Sequence, residues 1–445
     1  VAEAAPAPLP GKTRIELRAE LRAAEAALAK RPGDHERRLA VARCLYQSGE
    51  FARAREVVQP LLAEPRPARQ AIGLVAELAH LHGRYPEAER LYRRLADSAS
   101  ADPAARVDAL RRALDALYLE GRFTAARDLE LPAGVVLPRV DLMRAFDADP
   151  YRPAWRGSER TATLPFLATD PLPLVEVEFN GVPVNLLFDT GADLFILDDE
   201  VARGLGVRPL ASAPGRFGGG LGATVGLGRV DSVRLGAVTL HGLPVNILPT
   251  KRFSAIYPNG WTVGGFIGTA ALRQFVATVD YARGRLVLRP RTPESARAVR
   301  DSLAGRLAGE VPFVLASSHF LMAPGRLNQE RGLTFFVDSG LASEAAVSVP
   351  VQTLDLLGIP EPKREVPAGS VGGGGGVWAS GLVDLDTLGL GGLLQGPVKA
   401  EFGARPPQSY WERGFIVDGL ISHQFLRRYR SWTLDFDAMT FLFER

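Results

Sequence analysis

The chain has 445 residues, 46% apolar and 23% charged. These are globular values, and they exclude a wholly disordered, collagenous or disulfide-scaffold protein. Lys+Arg 53 against Asp+Glu 50 leaves a net charge of +3, too small an excess to mark a nucleic-acid binder.

No run of roughly 18 apolar residues occurs, so no transmembrane segment is predicted. The one cysteine, Cys44, excludes an intrachain disulfide and a multi-cysteine zinc site, and its helical setting predicts a small buried hydrophobe. The six histidines are scattered, and His80 and His82 fall on different helix faces. Neither a catalytic metal nor a cofactor is expected.

Residues 1–12 read as a flexible leader, with Val1 to Gly11 rich in Ala and Pro. Such a segment often follows a removed signal peptide. It predicts a periplasmic or secreted protein, with a cytoplasmic one left open.

Residues 13–131 have helical periodicity, with Leu17, Leu21, Ala24 and Leu28 on one face. A pattern recurs: Gly49, Phe51 and Ala54; Gly83, Tyr85 and Ala88; Gly121, Phe123 and Ala126. Successive glycines are 34 and then 38 residues apart. Glycine allows the tight turn between paired helices, the aromatic fills the gap and alanine lets the backbones approach. This resembles the tetratricopeptide repeat. The resemblance implies a concave surface for a peptide or partner protein. A helical cap packed on the rest of the chain, or an inhibitory cover, are the other readings.

Residues 132–163 read as a linker, punctuated by Pro132, Pro138, Pro150 and Pro153. Beyond them the pattern turns to short alternating strands. Val175 to Phe179 alternates apolar and polar, Asn180-Gly181 signals a hairpin, and Val182 to Phe188 continues as a strand. Residues 164–290 and 311–445 form two β-rich units. Between them lies a connector, residues 291–310, that contains a helical segment running from Pro293 to Leu307.

The two units match in order. Apolar strands run into Asp189-Thr190-Gly191-Ala192 and into Asp338-Ser339-Gly340-Leu341. One Asp-[Thr/Ser]-Gly is expected about 0.3 times by chance in such a chain, so either alone is weak. These are the only two. Each is followed by a helix-like segment, ending Leu205-Gly206-Val207 or Leu357-Gly358-Ile359, and then by a glycine run. Gly265 to Gly268 answers Gly419 to Ser422, and Asp280-Tyr281 answers Asp435-Phe436.

These ordered elements resemble the aspartic peptidases: short lobes of the retropepsin kind, two to a chain as in pepsin. The predicted fold is therefore multidomain, all-α repeats followed by an all-β bilobal acid protease. The resemblance implies that Asp189 and Asp338 are catalytic, one per lobe, sharing a proton because two adjacent carboxylates do not both ionise. It implies that Thr190 and Ser339 bond across the lobes and that Gly191 and Gly340 leave room for a water. A monomer suffices, since both halves lie in one chain.

Substrate contacts are assigned to Ala192, Asp193 and Leu341, and to two flap tips. The tips are Phe217, Gly218, Gly219 and Gly220 in the first lobe, and Gly374, Gly375 and Trp378 in the second. Asp193 matches a retropepsin position that holds substrate backbone, or it is a solvated cap. Trp378 lines a pocket or packs its own hairpin. Lobe two departs from the pattern at Leu341, Ala342 and Ser422, so the cleft is asymmetric. His423 is expected to be structural. The function expected is aspartic endopeptidase, with a polypeptide in the cleft and a possible protein partner on the repeats. The alternative is a non-catalytic peptide-binding scaffold.

Overall fold

The computed structural model describes residues 11–64, 68–98, 102–132, 135, 137–216, 222–366, 379–403, 407–411 and 413–445. The helical region runs Arg14–Lys30, His35–Gln47, Phe51–Val58, Arg69–Leu81, Tyr85–Ser98, Pro103–Glu120 and Phe123–Arg127. The repeat glycines turn the chain between paired helices, with φ of 80° at Gly49, 70° at Gly83 and 71° at Gly121. Side chains rarely adopt these values, which is why glycine recurs there. Phe51, Tyr85 and Phe123, two residues on, are buried, and Ala54, Ala88 and Ala126 are almost completely so. Cys44 is buried, as expected.

Residues 132–163 are more structured than their prolines suggest. Pro138 opens a helix, Pro138–Arg144, in the first-turn position where its missing N–H costs nothing. Arg152–Trp155 is a strand paired with Val238 to His241. A proline signals a boundary as well as a loop, and here it starts an element.

Each lobe is built on the same motif. In the first, Leu174–Phe179 and Val182–Phe188 form the hairpin turned at Asn180-Gly181, and both turn residues have positive φ, 49° and 85°. Leu186 to Phe188 then runs parallel to Gly265 to Ile267. In the second, Phe335 to Val337 runs parallel to Gly419 to Ile421. The helix-like segments are the helices Asp199–Gly204 and Val351–Leu357, followed by Gly206 and Gly358 with φ of 71° and 65°.

Six antiparallel strands join the lobes, three from each: Ala162–Ala168, Arg285–Pro290, Phe275–Asp280, Ser431–Asp435, Thr440–Glu444 and Leu307–Pro312. At the centre Thr278 faces Thr433, with their hydroxyls 2.8 Å apart. These are equivalent residues of the two lobes, so a pseudo-twofold axis passes between them. The helix Pro293–Ser302 carries the chain across.

The helical region is fixed to both lobes. One apolar cluster runs from Leu21 to Phe443. Phe51 and Phe415 meet edge to face at 4.9 Å. Arg229 Nη1 donates to the Ala145 carbonyl at 2.9 Å. The deepest tie is ionic. Arg14, in the first turn of the first helix, donates Nε to Asp418 Oδ1 at 3.0 Å, with side chains 3% and 0% exposed. Asp418 Oδ2 also accepts the Thr334 N–H at 2.7 Å, and Arg14 Nη1 reaches the Ser48 carbonyl at 3.2 Å. Removing one member of such a pair strands the other charge in a dry interior. Arg14→Met is expected to lower unfolding free energy by about 3–5 kcal/mol, read by urea denaturation. A loss under about 1 kcal/mol, the range of a surface pair, would show that the contact carries little.

Candidate active site

The strands Val182–Phe188 and Glu330–Val337 end at the interface between the lobes. Their closing residues are buried and apolar, and Phe188 packs edge to face on Trp432 of the other lobe at 5.7 Å. Each strand then delivers an aspartate into a tight turn. The Asp189 N–H donates to the Ile267 carbonyl at 3.1 Å, and the Asp338 N–H to the Ile421 carbonyl at 2.9 Å. The parallel partner strand thus sets the height of each carboxyl group.

The two turns interlock. The Thr190 N–H donates to Ser339 Oγ at 2.9 Å, and the Ser339 N–H donates to Thr190 Oγ1 at 2.9 Å. The Thr190 hydroxyl donates in turn to the Val337 carbonyl at 3.0 Å. Thr190 and Ser339 are almost wholly buried, so losing one of these bonds leaves an unmet polar group.

Gly191 and Gly340 donate their N–H groups to the carboxylates of their own turns, at 2.7 Å to Asp189 Oδ1 and 3.0 Å to Asp338 Oδ1. Each also lies against the opposite lobe. A Cβ at Gly191 would stand 2.6 Å from Asp338 Oδ1, and one at Gly340 would stand 2.2 Å from Asp189 Oδ1. Any side chain there would push the carboxylates out of place. The Asp338 side chain lies close enough to the Asp189 carboxyl to act on it as a hydrogen-bonding neighbour.

Burial is the largest influence on Asp189 and holds its pKa above the ordinary carboxylate value. The N–H of Gly191, the Asp338 side chain and the N–H of Ala192 pull it down in part.

The turns continue alike. The Ala192 carbonyl accepts from Thr269 N–H at 2.9 Å, and the Leu341 carbonyl accepts from His423 N–H at 3.3 Å. The glycine-to-serine departure at Ser422 has a local cause. A Cβ at Gly268 would collide with the Leu194 carbonyl at 2.1 Å, whereas the Ser422 hydroxyl donates to the Ala345 carbonyl and accepts the Gln424 N–H at 3.1 Å, capping a short helix. His423 is buried, with Nδ1 3.3 Å from the Tyr281 hydroxyl. Burial lowers its pKa to about 4.

Asp193 and Ala342, its counterpart, differ most. Ala342 is exposed. Asp193 Oδ2 lies 3.6 Å from Arg139 Nη2, while Oδ1 has no hydrogen-bond partner among the described residues. Burial raises the Asp193 pKa, and Arg139 and the Ser318 hydroxyl work against it. Arg139 comes from the helix Pro138–Arg144, pairs with Asp115 at 2.7 Å and lies over the Tyr118 ring at 4.6 Å. No sequence signal marks it, because an arginine in a proline-marked linker has no spacing relation to the motif. Phe217, Gly218, Gly219, Gly220, Gly374, Gly375 and Trp378 lie outside the described residues. The paired strands Ala211–Arg216 and Gly222–Leu235 flank the first group.

The raised pKa of Asp189 links the site to stability. Folding favours its protonated form, so its contribution is complete below the unfolded value near 3.8 and is lost as pH rises through the higher folded value. Asp189→Asn is therefore expected to raise the Tm at neutral pH by a few degrees, with a smaller gain near about pH 3. Equal gains at both pH values would count against a buried, proton-retaining carboxyl.

Residues 175–270 match the family model described as aspartyl protease, and residues 19–78 match the tetratricopeptide repeat model. The first match lies within the first lobe; the second lobe is tied to it by the repeated geometry above. No curated protein sequence matches the chain. Among solved structures, the chain is similar to a retropepsin-like aspartic protease from Rickettsia conorii, at 15% identity over 31% of this chain and 92% of that one, TM-score 0.21. It is also similar to conglutin gamma, a basic 7S globulin from lupine seeds, at 10% identity over 64% of this chain and 95% of that one, TM-score 0.36. The chain thus carries a tetratricopeptide-repeat segment followed by an aspartyl-protease segment.

Proposed function

We propose that the chain is an aspartic-type endopeptidase whose two lobes supply one catalytic carboxyl each. The observation that carries this is the contact between the Asp189 and Asp338 side chains, with Gly191 and Gly340 leaving no atom that would part them.

Two carboxyls so close hold one proton between them. The ionised member takes a proton from a water, and the water oxygen bonds to the carbon of the peptide carbonyl. The protonated member gives its proton to the carbonyl oxygen, forming a tetrahedral diol. When the C–N bond breaks, the dyad's proton passes to the departing nitrogen while one diol hydroxyl gives its proton to the ionised carboxylate, so a carboxylic acid and an amine leave and the dyad keeps a single proton. Neither aspartate has a permanent role, because the pair titrates as a unit.

The reading also assigns the helical repeats a part in recruiting or orienting the protein to be cut. One chain contains the whole dyad, so a monomer is the proposed active form.

The test is cleavage of an unfolded protein between about pH 4 and pH 8, where a shared proton is lost, with and without a statine-type transition-state mimic. Wild type is expected to cut and the mimic to block it. Asp189→Asn and Asp338→Asn are each expected to lose about 10³-fold or more in kcat, and the double variant little beyond either, because the two act as one unit. Undiminished turnover in either single variant defeats the dyad. A wild type that binds peptides without cutting them returns the scaffold reading.

A further inference from the structure

A groove of about 1190 Å³ separates the inner face of the repeats from the lobes. Its walls come from the helices Arg69–Leu81 and Pro103–Glu120 on one side, and from Ala213, Pro214, Ala316 and Ser317 on the other. Pro214 belongs to the first flap strand. Arg139 lines the groove and also contacts Asp193, four residues beyond Asp189. Through Arg139 the groove is linked to the turn that follows Asp189.

The lining is unbalanced in charge. Six arginines face it, Arg43, Arg69, Arg111, Arg112, Arg139 and Arg413, against three acids. Those acids are already engaged. Glu77 pairs with Arg112. Asp108 accepts from Arg111 at 2.8 Å and Arg112 at 3.0 Å. Asp115 accepts from Arg139 at 2.7 Å and Arg111 at 3.2 Å. Arg43 and Arg69 make no ion pair among the described residues, and both are exposed. Arg139 also pairs with Asp193, so the surplus rests on the exposed Arg43 and Arg69, whose positive potential the walls on either side focus.

We propose that this groove binds an acidic, extended segment of the polypeptide whose neighbouring stretch enters the dyad cleft. The volume exceeds the roughly 300–1,000 Å³ typical of small-molecule pockets, which favours a chain segment over a metabolite. Arginine forks match carboxylates in geometry as well as charge. The helical wall is held in place by the buried Arg14–Asp418 pair, so groove and cleft keep a fixed relation. The segment and the scissile bond then lie in one polypeptide, and binding in the groove raises the effective concentration of the bond at the dyad. The proposal rests on the endopeptidase reading only for what the segment is attached to.

Binding and cutting are measured separately, on the full chain. Binding is followed by fluorescence anisotropy with a labelled Asp/Glu-rich peptide of about ten residues, a reach of about 33 Å, against its Asn/Gln counterpart. Cleavage is followed with one scissile sequence carrying either extension. The acidic peptide is expected to bind wild type and Asp189→Asn alike, and to weaken steeply at about 1 M salt, where the Debye length is about 3 Å. Arg43→Gln with Arg69→Gln, two exposed changes that break no ion pair, is expected to weaken acidic-peptide binding about fivefold. The KM of the acidic substrate should rise with it, while kcat and the neutral substrate are unchanged. Equal binding of acidic and neutral peptides, no effect of the double variant, or a salt-stable dimer that excludes the peptide each overturns the proposal. Acidic-peptide binding without cleavage by wild type leaves the groove standing and fails the endopeptidase reading; cleavage with no acidic preference does the reverse.

Discussion

Two carboxyl groups meet at one half-buried site, and the β region is arranged around the cost of holding them there. Neither lobe can meet that cost alone. The cross-lobe bonds of Thr190 and Ser339 fix the two turns to one another, and the six-stranded platform, centred on Thr278 and Thr433, fixes the lobes. Glycine is required at 191 and 340 because the space its side chain would fill belongs to the opposite aspartate. The raised Asp189 pKa is the chemical trace of desolvation at that site.

Duplication gives the symmetry, and the second lobe has drifted where the site tolerates it. The carbonyls of Ala192 and Leu341 accept equivalent N–H donors, so the backbone role survives the change of side chain. Ser422 caps a helix where Gly268 must avoid a carbonyl. The exception is Asp193 against Ala342. Only the first lobe has a carboxylate there, and it meets Arg139 of the helix Pro138–Arg144.

What was legible in the sequence was what local chemistry determines. Gly49, Gly83 and Gly121 announced turns because only glycine adopts those dihedrals without strain. Asn180-Gly181 announced a hairpin, and the paired Asp-[Thr/Ser]-Gly turns announced two equivalent strands. The rest depends on partners far apart in the chain. Arg14 and Asp418 are 404 residues apart, and no periodicity links them. Pro138 carries the signal of a linker, yet it opens the helix that brings Arg139 to Asp193, because a helix start and a loop use the same residue. The groove arginines were invisible for a further reason: spread along several helices, they read as ordinary solvated charges until the fold turns them toward one space.

Whether Asp189 and Asp338 act as one proton-sharing unit is read from the pH dependence of kcat/KM on a single peptide substrate. A shared proton gives a bell. Activity rises as the pair loses its first proton, falls as it loses the second, and the fall vanishes together with activity in Asp338→Asn. A profile that climbs to a plateau through neutral pH, with no descending limb and no dependence on Asp338, would contradict it.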